Sequence, residues 1–115
     1  MKNKLLPLGS IVTTGKDNTL IMIDGYGMQN HNDGKLYDYS GVVYPLGINP
    51  NELKLFNKED IRDLVFVGYQ NKGFDMYSKA IEKFIKDVRE GKSIESAAIE
   101  LAKNVSRKDE PWKHN

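Results

Sequence analysis

Three aspartates, Asp24, Asp33 and Asp38, are the first candidates for chemistry in this sequence. Paired carboxylates act as general acid and base in glycoside hydrolysis, and grouped carboxylates hold hard cations, provided that the fold brings them together. Asp24 and Asp33 each precede a glycine, an arrangement typical of turns. The sequence therefore favours a turn role for this pair, and an enzyme would require all three carboxylates to converge.

Other catalytic constellations are poorly supported by the sequence. His31 lies in a polar segment and His114 is next to the last residue, so neither has a partner at helical spacing. Cysteine is absent, and no Gly-x-Ser-x-Gly elbow occurs. "GYG" (25–27) and "GKS" (91–93) are incomplete phosphate loops, the second with Lys86 where a glycine is needed. We expect no enzymatic activity and no cofactor.

Composition excludes several classes of partner. The 115 residues carry a formal net charge of +1, and residues 36–50 contain no basic side chain, which disfavours nucleic-acid binding. No segment approaches the run of about 18–20 apolar residues that crosses a bilayer. The lack of cysteine suits a reducing compartment. We expect a cytoplasmic protein without membrane insertion, and the sequence leaves its oligomeric state open.

A tyrosine-rich segment, "LYDYSGVVYP" (36–45), is the most informative stretch of the chain. Strand alternation separates it into two faces. The face predicted to be buried contains Tyr37, Tyr39, Gly41 and Val43, with Gly41 a candidate for a bulge. The face predicted to be partly solvated contains Leu36, Asp38, Ser40, Val42 and Tyr44. Pro45 has no N–H to donate to a β-ladder, so this end of the strand is predicted to be an edge of the sheet or an exit from it.

Two roles are open to these tyrosines. Their rings can cover a thin core, or they can form a protein-contact surface, because tyrosine supplies large rigid area at low entropic cost. An exposed edge at this point would also accept a partner strand. The candidate partner-binding residues are Tyr37, Asp38, Tyr39, Tyr44, Pro45 and Tyr69.

The remaining pattern predicts the elements around this segment. Residues 10–14 and 19–23 form a β-hairpin, and residues 24–35 form a loop rich in Gly, Asn and Asp. Asn57 begins one helical turn, with Asp60 in the capping-box position, and this turn leads into a strand over 64–69.

Two helices are predicted after Gly73. The apolar residues of the first have helical spacing, and those of the second follow the cap Ser93; they are Phe74, Tyr77, Ile81, Phe84, Val88, Ile94, Ala97, Ala98, Leu101 and Val105. Gly91 is the predicted stop between them. The fold class is therefore α+β, a small antiparallel sheet of about four strands followed by a C-terminal helical hairpin. We expect one domain, with a sheet region at 5–70, the hairpin at 73–106 and a loose tail at 107–115.

Four ordered motifs give the chain a family resemblance. They are "LPLGS" (6–10), "YDYSGVVYPLG" (37–47), "LFNKEDI" (55–61) and "GY" (68–69). Together they resemble a family of small Gram-positive bacterial proteins, a domain of unknown function encoded beside LXG (Leu-x-Gly) toxins of the type VII secretion system. The resemblance covers roughly residues 5–70. It implies an intracellular accessory protein that helps an LXG toxin fold, stay soluble or reach the secretion machinery.

Two functional hypotheses follow in addition to the enzyme. The first is a non-enzymatic chaperone or targeting adaptor that binds a secreted LXG toxin or a related effector. The second is an immunity protein that neutralises a cognate toxin. Immunity proteins often capture cationic clefts through acidic clusters, which a chain of near-zero charge does not offer.

Overall fold

A computed structural model describes residues 4–15 and 17–105. It divides the chain into two compact units, Met1–Tyr69 and Gln70–Asn115. The first contains a five-stranded antiparallel sheet and the second contains two helices, so the predicted α+β class is confirmed. The predicted tail at 107–115 lies outside the described residues, as does position 106.

The sheet has the strand order β4-β3-β2-β1-β5. Its strands are β1 (Ile11–Thr13), β2 (Ile21–Gln29), β3 (Leu36–Val43), β4 (Lys54–Phe56) and β5 (Asp63–Phe66). A 3₁₀ turn, Lys58–Asp60, connects β4 to β5. All neighbours are antiparallel, and β1 and β2 form the predicted hairpin with Ile11 opposite Met22.

Two details of the strands differ from the sequence prediction. The sheet has five strands instead of about four, because the three-residue β4 was missed. Half of the predicted loop 24–35 belongs to β2, and only residues 30–35 form the turn into β3. Glycine and asparagine predict a turn, but the ladder with β3 continues through them, with Tyr26 opposite Tyr39 and Met28 opposite Tyr37.

The core of the first unit lies along the middle of the sheet. Its most buried apolar residues are Leu5, Leu6, Val12, Ile21, Ile23, Tyr39, Val42 and Phe56. The predicted division of β3 into a buried and a partly solvated face is wrong for its centre, because Asp38, Ser40 and Val42 are buried as well as Tyr39. The predicted bulge lies on the neighbouring strand instead of at Gly41. Ile23 pairs with Gly41 and Gly25 pairs with Ser40, which leaves Asp24 as the extra residue.

The second unit is a helical hairpin. Helix α1 (Lys72–Arg89) begins after Asn71, whose side chain accepts a hydrogen bond from the Phe74 N–H. Gly91 follows its end with a φ of 110°, as a helix stop requires. The predicted cap Ser93 accepts from the Ser96 N–H and opens α2 (Ile94–Asn104). The two helices pack on each other, and their buried residues are Gly73, Ala80, Ile81, Phe84, Ile85 and Ala97.

Candidate functional site

The three candidate aspartates each bind a different protein group. The Ser40 hydroxyl donates to Asp24 at 2.6 Å, the Lys58 N–H donates to Asp38 at 2.9 Å, and the Tyr37 hydroxyl donates to Asp33 at 2.7 Å. Across residues 4–15 and 17–105, no group of three or more His, Asp or Glu side chains is placed to hold a metal ion. Each of the three carboxylates therefore has its own hydrogen-bond partner within the fold.

Asp33 has the turn role that the sequence predicts. Its other carboxylate oxygen accepts the Lys35 N–H at 2.8 Å, which fixes the turn between β2 and β3. This backbone hydrogen bond, followed by the one from Tyr37, lowers the pKa of Asp33. The same carboxylate raises the pKa of the Tyr37 phenol, because the neutral hydroxyl is the donor. His31 is exposed in this turn, and His114 lies outside the described residues.

Tyr39 is a core residue with an internal hydrogen bond. Its side chain is 1% exposed, and its ring stacks on Phe56 with centroids 5.4 Å apart. Its hydroxyl accepts the Leu6 N–H at 2.9 Å, while the Tyr26 hydroxyl donates to the Leu6 carbonyl at 2.6 Å. The two tyrosines thus satisfy both polar groups of Leu6 and hold the N-terminal segment on the sheet.

Asp38 has a comparable internal role at the start of the 3₁₀ turn. It is 2% exposed, and its carboxylate accepts the Lys58 N–H, while its own N–H donates to the Asn57 side chain at 3.0 Å. The Asp60 carboxylate accepts the Asn57 N–H at 2.8 Å, the reciprocal half of the predicted capping box. Burial leaves Asp38 and Tyr39 no surface for a partner, so both are removed from the predicted partner-binding set.

The first and last motifs of the sheet unit meet at Ser10 and Gly68. The Gly68 N–H donates to the fully buried Ser10 hydroxyl at 2.9 Å. A Cβ atom at Gly68 would lie 2.1 Å from the Leu8 carbonyl oxygen, so no other residue fits without a shift of the backbone. The four motifs on which the family resemblance rests are therefore joined to one another by hydrogen bonds and ring contacts inside the fold.

The remaining predicted residues lie at the surface. Tyr44 is 46% exposed, Tyr69 is 75% exposed and Pro45 is also exposed, whereas Tyr37 is partly buried. Pro45 was predicted to mark an edge or an exit of the strand, and the structure shows the exit. The strand before it is internal, since β2 and β4 flank β3, but the chain does leave the sheet here through a turn in which the Gly47 N–H donates to Val43.

The connection from β3 to β4 exposes an apolar surface of which sequence reasoning had named only Tyr44 as a candidate. This loop patch consists of Tyr44, Leu46, Ile48 and Leu53, of which Leu46 is 70% and Ile48 is 88% exposed. Two hydrogen bonds order the loop: the Glu52 N–H donates to the Asn49 carbonyl, and the Asn51 N–H donates to the Asn49 side chain. The sequence could have predicted this surface, because its apolar residues lie in a segment rich in Pro, Gly and Asn, which is not expected to form a buried strand.

A second exposed apolar surface follows the edge of the sheet. This β5 patch consists of Leu8, Leu64, Val65, Phe66, Val67 and Tyr69. All four residues of β5 are exposed, so the edge strand is uncovered on both of its faces. Monomeric soluble proteins seldom expose apolar patches larger than a few hundred Å² unless the patch serves an interaction.

These features define a small α+β domain whose four motifs hold the sheet together and whose apolar loop and edge strand are exposed. The chain belongs to the family described as "Domain of unknown function (DUF4176)", whose model matches residues 5–75. The match extends slightly past the resemblance at 5–70 and into α1. Comparisons with curated proteins and with solved structures give no match. No helix in the described part of the chain is long and apolar enough to span a membrane.

Proposed function

We propose that this protein is a non-enzymatic, cytoplasmic accessory protein of type VII secretion in Gram-positive bacteria. It binds a secreted LXG toxin or a related effector as a chaperone or targeting adaptor. The loop patch is the observation that carries the proposal. Leu46 and Ile48 extend into solvent from a loop that its own hydrogen bonds order. An apolar surface that is already ordered loses little conformational entropy on binding, which favours a protein partner.

Three further observations support a binding role and its partner class. The carboxylates that an enzyme would need are bound to Ser40, Tyr37 and Lys58. The resemblance of the four motifs to proteins encoded beside LXG toxins supplies the partner class. Near-zero net charge favours apolar recognition over long-range electrostatic capture.

Co-purification with the LXG protein of the neighbouring gene tests the proposal. We expect the full chain to form a stable complex with it, and Ile48→Glu to raise the dissociation constant at least about tenfold, since a charge would be buried in an apolar contact. Ile99→Glu is the matched control, because Ile99 is 62% exposed but lies on α2. Failure of the wild-type chain to associate, with both proteins folded, contradicts the proposal.

The same complex distinguishes an adaptor from an immunity protein. Binding to the LXG region or the linker of the toxin, without protection of cells that express the isolated toxin domain, is the adaptor result. Protection of those cells, together with binding to the toxin domain, would replace the adaptor with an immunity protein.

A further inference from the structure

We propose that the protein forms a two-fold symmetric dimer in which the β5 strands of two copies pair antiparallel and join their sheets. The partner is a second copy of this chain, and the contact surface is the β5 patch. This inference is independent of the proposed effector complex, which uses the loop patch on the β3–β4 connection.

The two edges of the sheet differ in how they are protected. Natural edge strands are commonly guarded by lysine, which is incompatible with burial beneath another strand. At the β4 edge, Lys54 is exposed on a strand of three residues. The β5 edge presents Leu64, Val65 and Phe66 on a strand whose outer side pairs with no other strand of the described chain. The sheet therefore has one edge guarded by lysine and one edge that is open apart from the bulge at Val65.

A sheet with a single open edge favours a dimer over a filament. Joining β5 of one copy to β4 of the next would be a heterologous contact that can propagate into a filament, and Lys54 opposes it. Joining β5 to β5 uses the same surface on both copies and closes at two subunits. The symmetry of the proposed dimer follows from this difference between the edges.

The charges at the ends of β5 select the antiparallel arrangement. Arg62 and Asp63 form an ion pair of 2.8 Å at the start of the strand, and the following residues up to Tyr69 carry no charge. An antiparallel pair places the charged end of each strand beside the uncharged end of the other. A parallel pair would bring the two Asp63 carboxylates together, which is unfavourable.

The size of the β5 patch fits a reversible dimer. Its exposed side chains include Phe66 at 58% and Tyr69 at 75%. With side-chain areas of about 150–250 Å² for a large aromatic residue, Phe66 and Tyr69 together expose roughly 200–330 Å² of apolar surface per subunit. A standard interface buries about 800 Å² per partner, so a contact of this smaller size fits a weak, reversible dimer. A bulge at Val65, between the pairs Leu64–Val12 and Phe66–Ile11, limits the number of new backbone hydrogen bonds.

Sedimentation equilibrium of the full chain tests the dimer. We expect the mass to rise from 13.1 kDa toward twice that value between about 1 μM and 1 mM, the range of a reversible contact. Phe66→Lys and Val65→Lys should each weaken the dimer at least about tenfold, because a lysine would be buried at the new strand pair. Ile48→Lys, in the loop patch, should leave the dimer unchanged.

Disulfide trapping gives a second readout, because it captures the associated state covalently. The chain has no cysteine, so a single introduced thiol reports only on its own position. Under mild oxidation, Val65→Cys or Phe66→Cys should give a covalent dimer at concentrations where Ile48→Cys stays monomeric. Circular dichroism checks that each variant is folded. If Phe66→Lys does not fold, Val65→Lys replaces it in the sedimentation experiment.

The contradicting results are clear in both experiments. A folded wild-type chain that stays monomeric up to about 1 mM overturns the inference. A dimer that persists in both Val65→Lys and Phe66→Lys also overturns it. In the trapping experiment, a covalent dimer formed only by Ile48→Cys does the same. Effector binding that survives Phe66→Lys while the dimer is lost separates this inference from the proposed function.

Discussion

The Gly68 backbone N–H donates a hydrogen bond to the hydroxyl of Ser10, which lies 58 residues earlier in the chain and is fully buried. This contact fixes the segment after β5 against the residue before β1. It also explains why a glycine stands at position 68, since the Leu8 carbonyl occupies the place of a side chain. The first and last motifs of the sheet unit are thus one structural feature.

Gly68→Ala should destabilise the sheet unit by about 2–4 kcal/mol, because a methyl group 2.1 Å from the Leu8 carbonyl oxygen forces the backbone apart. Urea unfolding followed by circular dichroism measures the change. Gly15→Ala is the matched control, since a Cβ there meets nothing within 4 Å. Equal stability of the two variants would mean that the close approach at Gly68 is not present in solution.

Tyr39→Phe should destabilise the unit by about 1–3 kcal/mol, because it leaves the Leu6 N–H without its acceptor inside the fold. Tyr37→Phe removes the same atom from a partly buried tyrosine whose partner, Asp33, is exposed, and it should cost less than about 0.5 kcal/mol. Thermal unfolding compares the two variants. A larger loss of stability for Tyr37→Phe than for Tyr39→Phe would contradict the structural role given to Tyr39.

Asp38→Ala should cost about 1–3 kcal/mol, because it removes the acceptor of the Lys58 N–H at the start of the 3₁₀ turn. Asp38→Asn keeps an oxygen that can accept this hydrogen bond, so it should restore part of the loss. Urea unfolding of both variants measures the difference. An Asp38→Ala protein as stable as the wild type would return Asp38 to the set of candidate binding residues.

Glu100→Gln should weaken the helical hairpin in a pH-dependent way. Glu100 bridges Lys83 at 2.8 Å and Lys92 at 2.6 Å, and these contacts lower its pKa from 4.5 to about 2. Since the folded pKa is the lower one, the stabilisation is fully present above pH 4.5 and is lost as the pH falls towards 2. We expect a small difference between wild type and Glu100→Gln at pH 7 that vanishes near pH 2.

The thermal midpoint as a function of pH provides this measurement. Glu95→Gln changes the charge of α2 by the same amount without touching the bridge to Lys83, so it separates the ion pair from net charge. The effect should also shrink in 1 M salt, because the groups are exposed and screened. A difference that persists at pH 2 would show that the carboxylate of Glu100 is not its source.

Local patterns predicted much of the secondary structure correctly. Ser93 caps α2, Gly91 follows the end of α1, and the hairpin of β1 and β2 follows from two β-branched runs around a short turn. Each of these features depends on residues that are close in sequence. The strand β4 was missed because three residues give too short a pattern, and it exists only through its ladder with β3.

The candidate site was predicted less well, for a physical reason. Alternation along a strand assigns residues to two opposite faces, but it does not show which face another segment covers. Tyr39 and Asp38 point to opposite faces, and both are buried, because Leu6 contacts the first and the 3₁₀ turn contacts the second. Tyr44 and Tyr69 stay at the surface, where no such segment reaches them.

The amino-acid sequence by itself determined the α+β class, the helix ends and the motifs that identify the family, since these depend on local propensity and order along the chain. Only the tertiary structure decided that most of the tyrosine strand belongs to the core and that the apolar surface is the loop patch and the β5 patch. Burial is set by contacts between residues far apart in the chain, such as Ser10 with Gly68, and a local pattern carries no record of them.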